Sequence, residues 1–132
     1  MKVLFDTNVL IAAFISHGSC HELLEHCFHE HQIVTTKVLL NEFLDTLSGK
    51  LHFTRDEVRE AKQLMGFMAT LVDPLPLETP ICRDPDENNV LAAALGGEVD
   101  CIVTGDKDLL VLKHCRGIPI LSPDQFWPFE NR

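Results

Sequence analysis

No uninterrupted apolar run in the 132 residues is long enough to span a bilayer. Asp6 breaks the first apolar stretch, so no secretory leader is expected, and the chain reads as a cytoplasmic protein without a membrane partner. Positive charge is scarce: 11 Lys and Arg stand against 20 Asp and Glu, for a net charge of -9. A protein that grips nucleic acid mainly by neutralising phosphates is basic. That mode is excluded here unless a local basic face, bound cations or a basic partner supplies the missing charge. Close CxxC pairs are missing too. The five cysteines are an odd number, Cys20 and Cys27 share one helical face, and Cys101 sits in an apolar run, so reduced thiols are expected. No repeat, linker or low-complexity tract divides the chain, which reads as one domain over residues 1–132. That length buries a core without disulfides or a structural metal.

What is present is alternation. KVLF (2–5), IVTT (33–36), LVD (71–73), CIVT (101–104) and IPIL (118–121) read as short strands. Between them lie helical patterns: VLIAAFI after DTN, residues 20–31 with an apolar stripe, and 37–48 with Leu39, Phe43 and Leu47 at helical spacing. Thr54 and Glu57 form a capping-box signature for a helix of about 15 residues. Another helix follows RDP. Strands alternating with helices imply an α/β domain with a small, mainly parallel sheet of about five strands flanked by helices. In that architecture ligands bind outside the carboxyl ends of the strands. Asp6 directly follows the first strand, and Asp106 follows CIVT after one glycine.

Each acid alone has an ordinary explanation. Asp6 fits a helix N-cap, a role Thr7 and Asn8 can share, and Asp106 can cap a short turn through DLL. Together they face one crevice, with Glu42 on a helix among apolar neighbours. Two like charges roughly 4 Å apart repel by about 4 kcal/mol at an effective dielectric near 20. Several carboxylates therefore do not converge without protons or a cation, and ligands that are all oxygen favour Mg²⁺ or Mn²⁺. Such an ion orients water, lowers its pKa and offsets charge on a phosphate being cleaved.

FDTNVL, Glu42 in LLNEFL, CRDPDENNVLAAAL and VTGDKDLL, in that order, resemble the PIN domain. The most similar branch holds toxin components of bacterial and archaeal toxin–antitoxin pairs, and the terminal ILSPDQF resembles its closing segment. The resemblance implies a Mg²⁺- or Mn²⁺-dependent endoribonuclease, RNA as substrate, a cognate antitoxin and frequent homodimers. Carried over by position, Asp6 and Asp106 become the central metal ligands and Glu42 the helix acid. Asn8 and Thr104 become supporting polar residues; Asp108, two residues beyond Asp106, is expected to support the site as well. The remaining acid lies among Asp84, Asp86 and Glu87, where the branch commonly reads DPDD and this chain reads DPDE. Here the residues themselves discriminate. Asp84 fits an N-cap, with Pro85 first in the helix and Glu87 third. At 100° per residue Glu87 falls within the arc of Val90, Leu91 and Ala94, while Asp86 lies at its edge. Asp84 is thus expected to be structural, and Glu87 ahead of Asp86 to be the fourth ligand.

Three other readings compete. DTN followed by GDKD suggests a haloacid-dehalogenase-like phosphatase, but Asn8 occupies the position where its general acid belongs. A catalytically idle RNA- or protein-binding domain on the same fold has no need to tolerate the carboxylate repulsion. HELLEH is not a zinc-protease motif, because His21 and His26 are five apart and point roughly 140° away from each other on a helix. The segment reads as a solvated helix face, with adventitious metal binding at His26, His29 and His31 as its only metal reading. Finally, Arg55, Arg59 and Lys62 make a basic stripe on one helix, either an ordinary solvated face or, with Lys107, a phosphate track toward the acids.

Overall fold

A computed structural model describes residues 1–132. Six strands form one sheet: β1 (Lys2–Phe5), β2 (Gln32–Thr35), β3 (Ala69–Leu71), β4 (Cys101–Val103), β5 (His114–Cys115) and β6 (Ile118–Leu121). Their order is β3-β2-β1-β4-β6-β5, parallel throughout except that β5 runs antiparallel to β6. Seven helices connect and cover them: α1 (Thr7–Ile15), α2 (Ser19–Glu30), α3 (Lys37–Gly49), α4 (Arg55–Met68), α5 (Pro85–Gly97), α6 (Lys107–Leu110) and α7 (Pro123–Glu130).

The period-2 pattern of the strands divides the core into two layers. Val3 and Phe5, Ile33, and Cys101 and Val103 point to one face, where α1, α2, α4 and α7 bring Leu10, Leu23, Met65 and Phe126. Leu4, Val34 and Ile102 point to the other face, against Val90, Leu91 and Ala94 of α5 and Leu109 of α6. Both faces are covered, as a parallel sheet requires. Gly96 shows how tightly α5 is laid down. A Cβ there would lie 2.0 Å from the carbonyl oxygen of Asp73, so only glycine admits the 73–75 loop. That loop is tied back by the Leu75 N–H, which donates to Ala92 O at 2.9 Å.

Several boundaries differ from the sequence expectation. The third strand lies at Ala69–Leu71 rather than 71–73, because α4 runs directly into it and its register is set by pairing with Ile33 to Thr35. Thr36 and Thr104 leave their strands, and Thr36 caps α3 by accepting from the Leu39 N–H. The sheet has six strands rather than about five, because β5 is a two-residue edge strand. Its turn places Lys113, Arg116 and Gly117 at positive φ. The SPDQF segment opens α7 through a reciprocal capping box between Ser122 and Gln125.

Candidate active site

The sheet order reverses beside β1, which has β2 on one side and β4 on the other. In open parallel sheets the crevice outside such a switch point is where ligands bind. Asp6 emerges there. Its N–H donates to Val103 O at 2.9 Å, so the chain remains pinned to β4 as it leaves β1. Asp6 occupies the N-cap position of α1, yet its carboxylate makes no capping hydrogen bond. Its Oδ2 instead accepts from the Thr104 hydroxyl at 2.7 Å. The same hydroxyl oxygen accepts from the Asp106 N–H at 3.0 Å. Thr104, wholly buried, thus fixes Asp6 and Asp106 relative to each other. Asp106 does act as a cap: its Oδ1 accepts from the Asp108 N–H at 2.9 Å and starts α6.

The fourth acid comes from the start of α5. Asp84 caps this helix by accepting from the Asp86 N–H at 2.9 Å, and Pro85 takes the first helical position. Asn88 holds the preceding loop. Its Oδ1 accepts from the N–H groups of Ile81 and Cys82, and its Nδ2 donates to Cys82 O at 2.7 Å. In this frame Asp86 is exposed and Glu87 is buried at 7% exposure, with no hydrogen-bond partner for its Oε2. Carboxylate oxygens of Glu87, Asp106 and Asp108 lie within 4.8 Å of one another. Asp108 therefore stands with the acids themselves, beyond the supporting place given to it in sequence. Glu42, half-buried on α3, faces the same cleft of about 190 Å³ as Asp6, Asp86, Glu87, Asp106 and the exposed Asn8.

Electrostatics follow from this crowding. Burial pushes the Glu87 carboxyl above its ordinary range, and the charges of Asp106 and Asp108 push it further. Burial also raises Asp6, with the Thr104 hydrogen bond opposing it and Asp106 adding to it. Glu42 is raised by burial first, then by Asp86 and Asp6. A buried polar atom without a partner costs roughly 1–3 kcal/mol, more when charged. The orphaned Glu87 Oε2 is thus a free ligand atom in a set built only of oxygen donors. These residues fit a hard divalent cation of the Mg²⁺ or Mn²⁺ kind.

A family model described as PIN domain matches residues 2–108. The chain belongs to the PIN domain family. The matched span carries Asp6, Glu42, Asp84, Asp86, Glu87 and Asp106, the acids that line the cleft, and Asp108 beside them. Among solved structures, the PIN fold seen here is similar to VapBC2 from Rickettsia felis bound to a DNA fragment from its promoter. The similarity has a TM-score of 0.62 at 14% identity and covers 91% of this chain and 97% of that one. No curated protein matches the sequence. The PIN assignment displaces the phosphatase reading of DTN and GDKD.

The basic residues singled out in sequence do not reach the cleft. Arg55, Arg59 and Lys62 are exposed on α4, and Arg59 pairs with Asp56 at 3.6 Å. Lys107 is exposed at the start of α6, outside the cleft lining. The cation that does line the cleft is Lys50, at the C-cap of α3, beside Thr46. Glu42, Thr46 and Lys50 are four apart, which places them on one helical stripe. That spacing was the available signal for both residues. Asn88 carried no comparable signal, because its partners depend on the path of the loop.

Proposed function

We propose that this PIN domain is a metal-dependent endoribonuclease and the toxin of a toxin–antitoxin pair. One observation carries the reading: a buried, unpartnered Glu87 carboxylate converges with Asp106 and Asp108 at the sheet's switch point, beside Asp6. An idle domain on this fold has no use for an arrangement that costs stability. Glu87, Asp106 and Asp6 would hold Mg²⁺ or Mn²⁺, with Glu42, Asp86 and Asp108 completing the shell directly or through water. When bound, such an ion orients water, lowers its pKa and offsets charge developing on the phosphate.

The protein's own groups do the rest. Water adds to phosphorus while the bond to one ester oxygen breaks, so the groups around the phosphate must hold it in line. Thr104 keeps Asp6 and Asp106 in register through two hydrogen bonds. Lys50 and the Asn8 amide, at the cleft lining, suit contact with the backbone phosphates of RNA and carry no base information. Arg55, Arg59, Lys62 and Lys107 serve at most as a distal track for the strand.

The net charge of -9 suits a basic partner, and an antitoxin segment is the partner we assign to it. The toxin-branch resemblance of DPDE and ILSPDQF, and the fold shared with VapBC2, support that assignment. A homodimer working in the cytoplasm completes the reading; no helix of the structure is long and apolar enough to cross a membrane. The test is RNA cleavage with Mg²⁺ or Mn²⁺ beside an Asp6→Asn control. Cleavage is expected to need the ion and to fall at least about 100-fold in the variant. Cleavage that survives the substitution, or proceeds equally in EDTA, contradicts the reading.

A further inference from the structure

Of the seven histidines, two converge at the end of the sheet opposite the acidic cleft. His26 and His31 are five residues apart, which on a continuous helix would separate them by roughly 140°. The helix does not continue. α2 ends at Glu30, and His31 follows with extended backbone at φ -138° and ψ -173°. Both Nε2 atoms consequently turn toward one carboxylate oxygen, the Oε2 of Glu130 at the end of α7. His26 Nε2 lies 2.6 Å from it, and His31 Nε2 also bonds to it.

The three ligand atoms lie within 4.8 Å of one another. Aromatic rings wall the cluster: Trp127 is 4.9 Å from the His26 ring, and Phe126 is 5.9 Å from the His31 ring. Side-chain exposures of 30% for His26, 12% for His31 and 18% for Glu130 leave one side reachable from solvent. His29, grouped with these two in the sequence reading, lies apart from them and lines a groove beside Phe28 and Phe67.

We propose that His26, His31 and Glu130 form a zinc site, independent of the acidic cleft, that staples α7 to α2 and to the amino end of β2. Two imidazole nitrogens and a carboxylate are a donor set suited to Zn²⁺, whereas the all-oxygen cleft suits a harder ion. Zinc on both Nε2 atoms leaves each neutral ring with its proton on Nδ1. At His31 that nitrogen stands 3.2 Å from the Met1 amino group, so zinc and a protonated amine compete for this ring. With three protein ligands, the remaining position is open to water.

The test titrates the whole chain with Zn²⁺ in competition with a chromophoric chelator and follows histidine ring nitrogens of the wild type by NMR. One zinc per chain is expected at this site with micromolar or tighter affinity. The Nε2 resonances of His26 and His31 should shift, and those of His17, His21, His29, His52 and His114 should not. Glu130→Gln and His26→Gln should each weaken this binding at least tenfold, and Asp106→Asn should leave it unchanged. Co²⁺ in place of Zn²⁺ should give d–d bands without a thiolate charge-transfer band, separating the site from the five cysteines. Unshifted His26 and His31 resonances at zinc saturation, or equal affinity in the folded Glu130→Gln variant, overturn the proposal. The NMR arm needs no variant, so a variant that fails to fold does not shelter it.

Discussion

Two carboxylates of this molecule, Glu87 and Glu130, show opposite solutions to the same problem. Both are removed from most solvent, and each sits at one end of a helix, the two at opposite ends of the sheet. Glu130 has what a buried charge needs: His31 and His26 bond to it and hold its carboxyl below the ordinary range. Glu87 has the reverse, with no partner for Oε2 and with Asp106 and Asp108 as neighbours. Its position in the first turn of α5, favoured by the helix dipole, offsets only part of that cost. A protein built only to fold would satisfy both groups, and it is at the Glu87 end that a buried carboxylate oxygen is left without a partner.

Glu87→Gln should separate the two ends of the molecule most sharply. Ribonuclease activity should drop at least about 100-fold, while stability without metal rises by roughly 1 kcal/mol as the buried charge is removed. For a chain of this length that is an increase of about 3–6 °C in thermal midpoint. A less stable variant would show that Glu87 is satisfied in solution. Thr104→Val should come next. It keeps the side chain's shape but removes the hydroxyl between Asp6 and Asp106, and activity should fall roughly tenfold while Mn²⁺ still binds. Unchanged turnover would reduce Thr104 to packing.

At the other end, Glu130→Gln should leave RNA cleavage intact and cost about 1 kcal/mol of stability, because two charge-assisted hydrogen bonds weaken. The smallest effect is a pH dependence, and its sign differs between the two sites. Glu87 and Asp6 have folded pKa values above their unfolded ones, so the folded state holds protons more tightly. Their contribution therefore lowers stability as pH rises from about 4 through the folded values. Glu130 is depressed, so its contribution is present above the unfolded value and is lost as pH falls through the folded one. The stability gap between wild type and Glu87→Gln should accordingly close as pH falls through the folded Glu87 value to about 4, whereas the gap for Glu130→Gln has the opposite sign and closes only below about 4, as pH falls through the folded Glu130 value. Chemical denaturation between pH 3 and pH 7 measures both.

The sequence carried the parts of this picture that depend on local periodicity. Alternating strands gave the α/β architecture, and the 100° step of α5 set Glu87 on the inward arc and Asp86 at its edge; Glu87 is buried, and Asp86 is exposed at the cleft lining. Asp6 and Asp106 were placed by their position just past two strands. What it hid depends on chain paths. Thr104 was legible as a supporting residue but not as a hydroxyl that bonds in two directions. Asp108 joins the acids because the Asp106 cap starts α6 at that point, which leaves the Asp108 carboxylate within 4.8 Å of those of Glu87 and Asp106. β5 is too short to carry a periodic signal, and β3 takes its register from β2 instead of from its own residues. The histidine cluster was hidden for a definite reason. Helical geometry separates His26 from His31 until α2 ends between them, and Glu130 arrives from 104 residues beyond His26.

The claim that the acidic cleft exists to hold a divalent cation is tested most directly by anomalous diffraction from crystals soaked in saturating Mn²⁺. A peak is expected within coordination distance of carboxylate oxygens from Glu87 and Asp106, with Asp6 in the same shell. A fully soaked crystal with no manganese among Asp6, Glu42, Glu87 and Asp106 would contradict it.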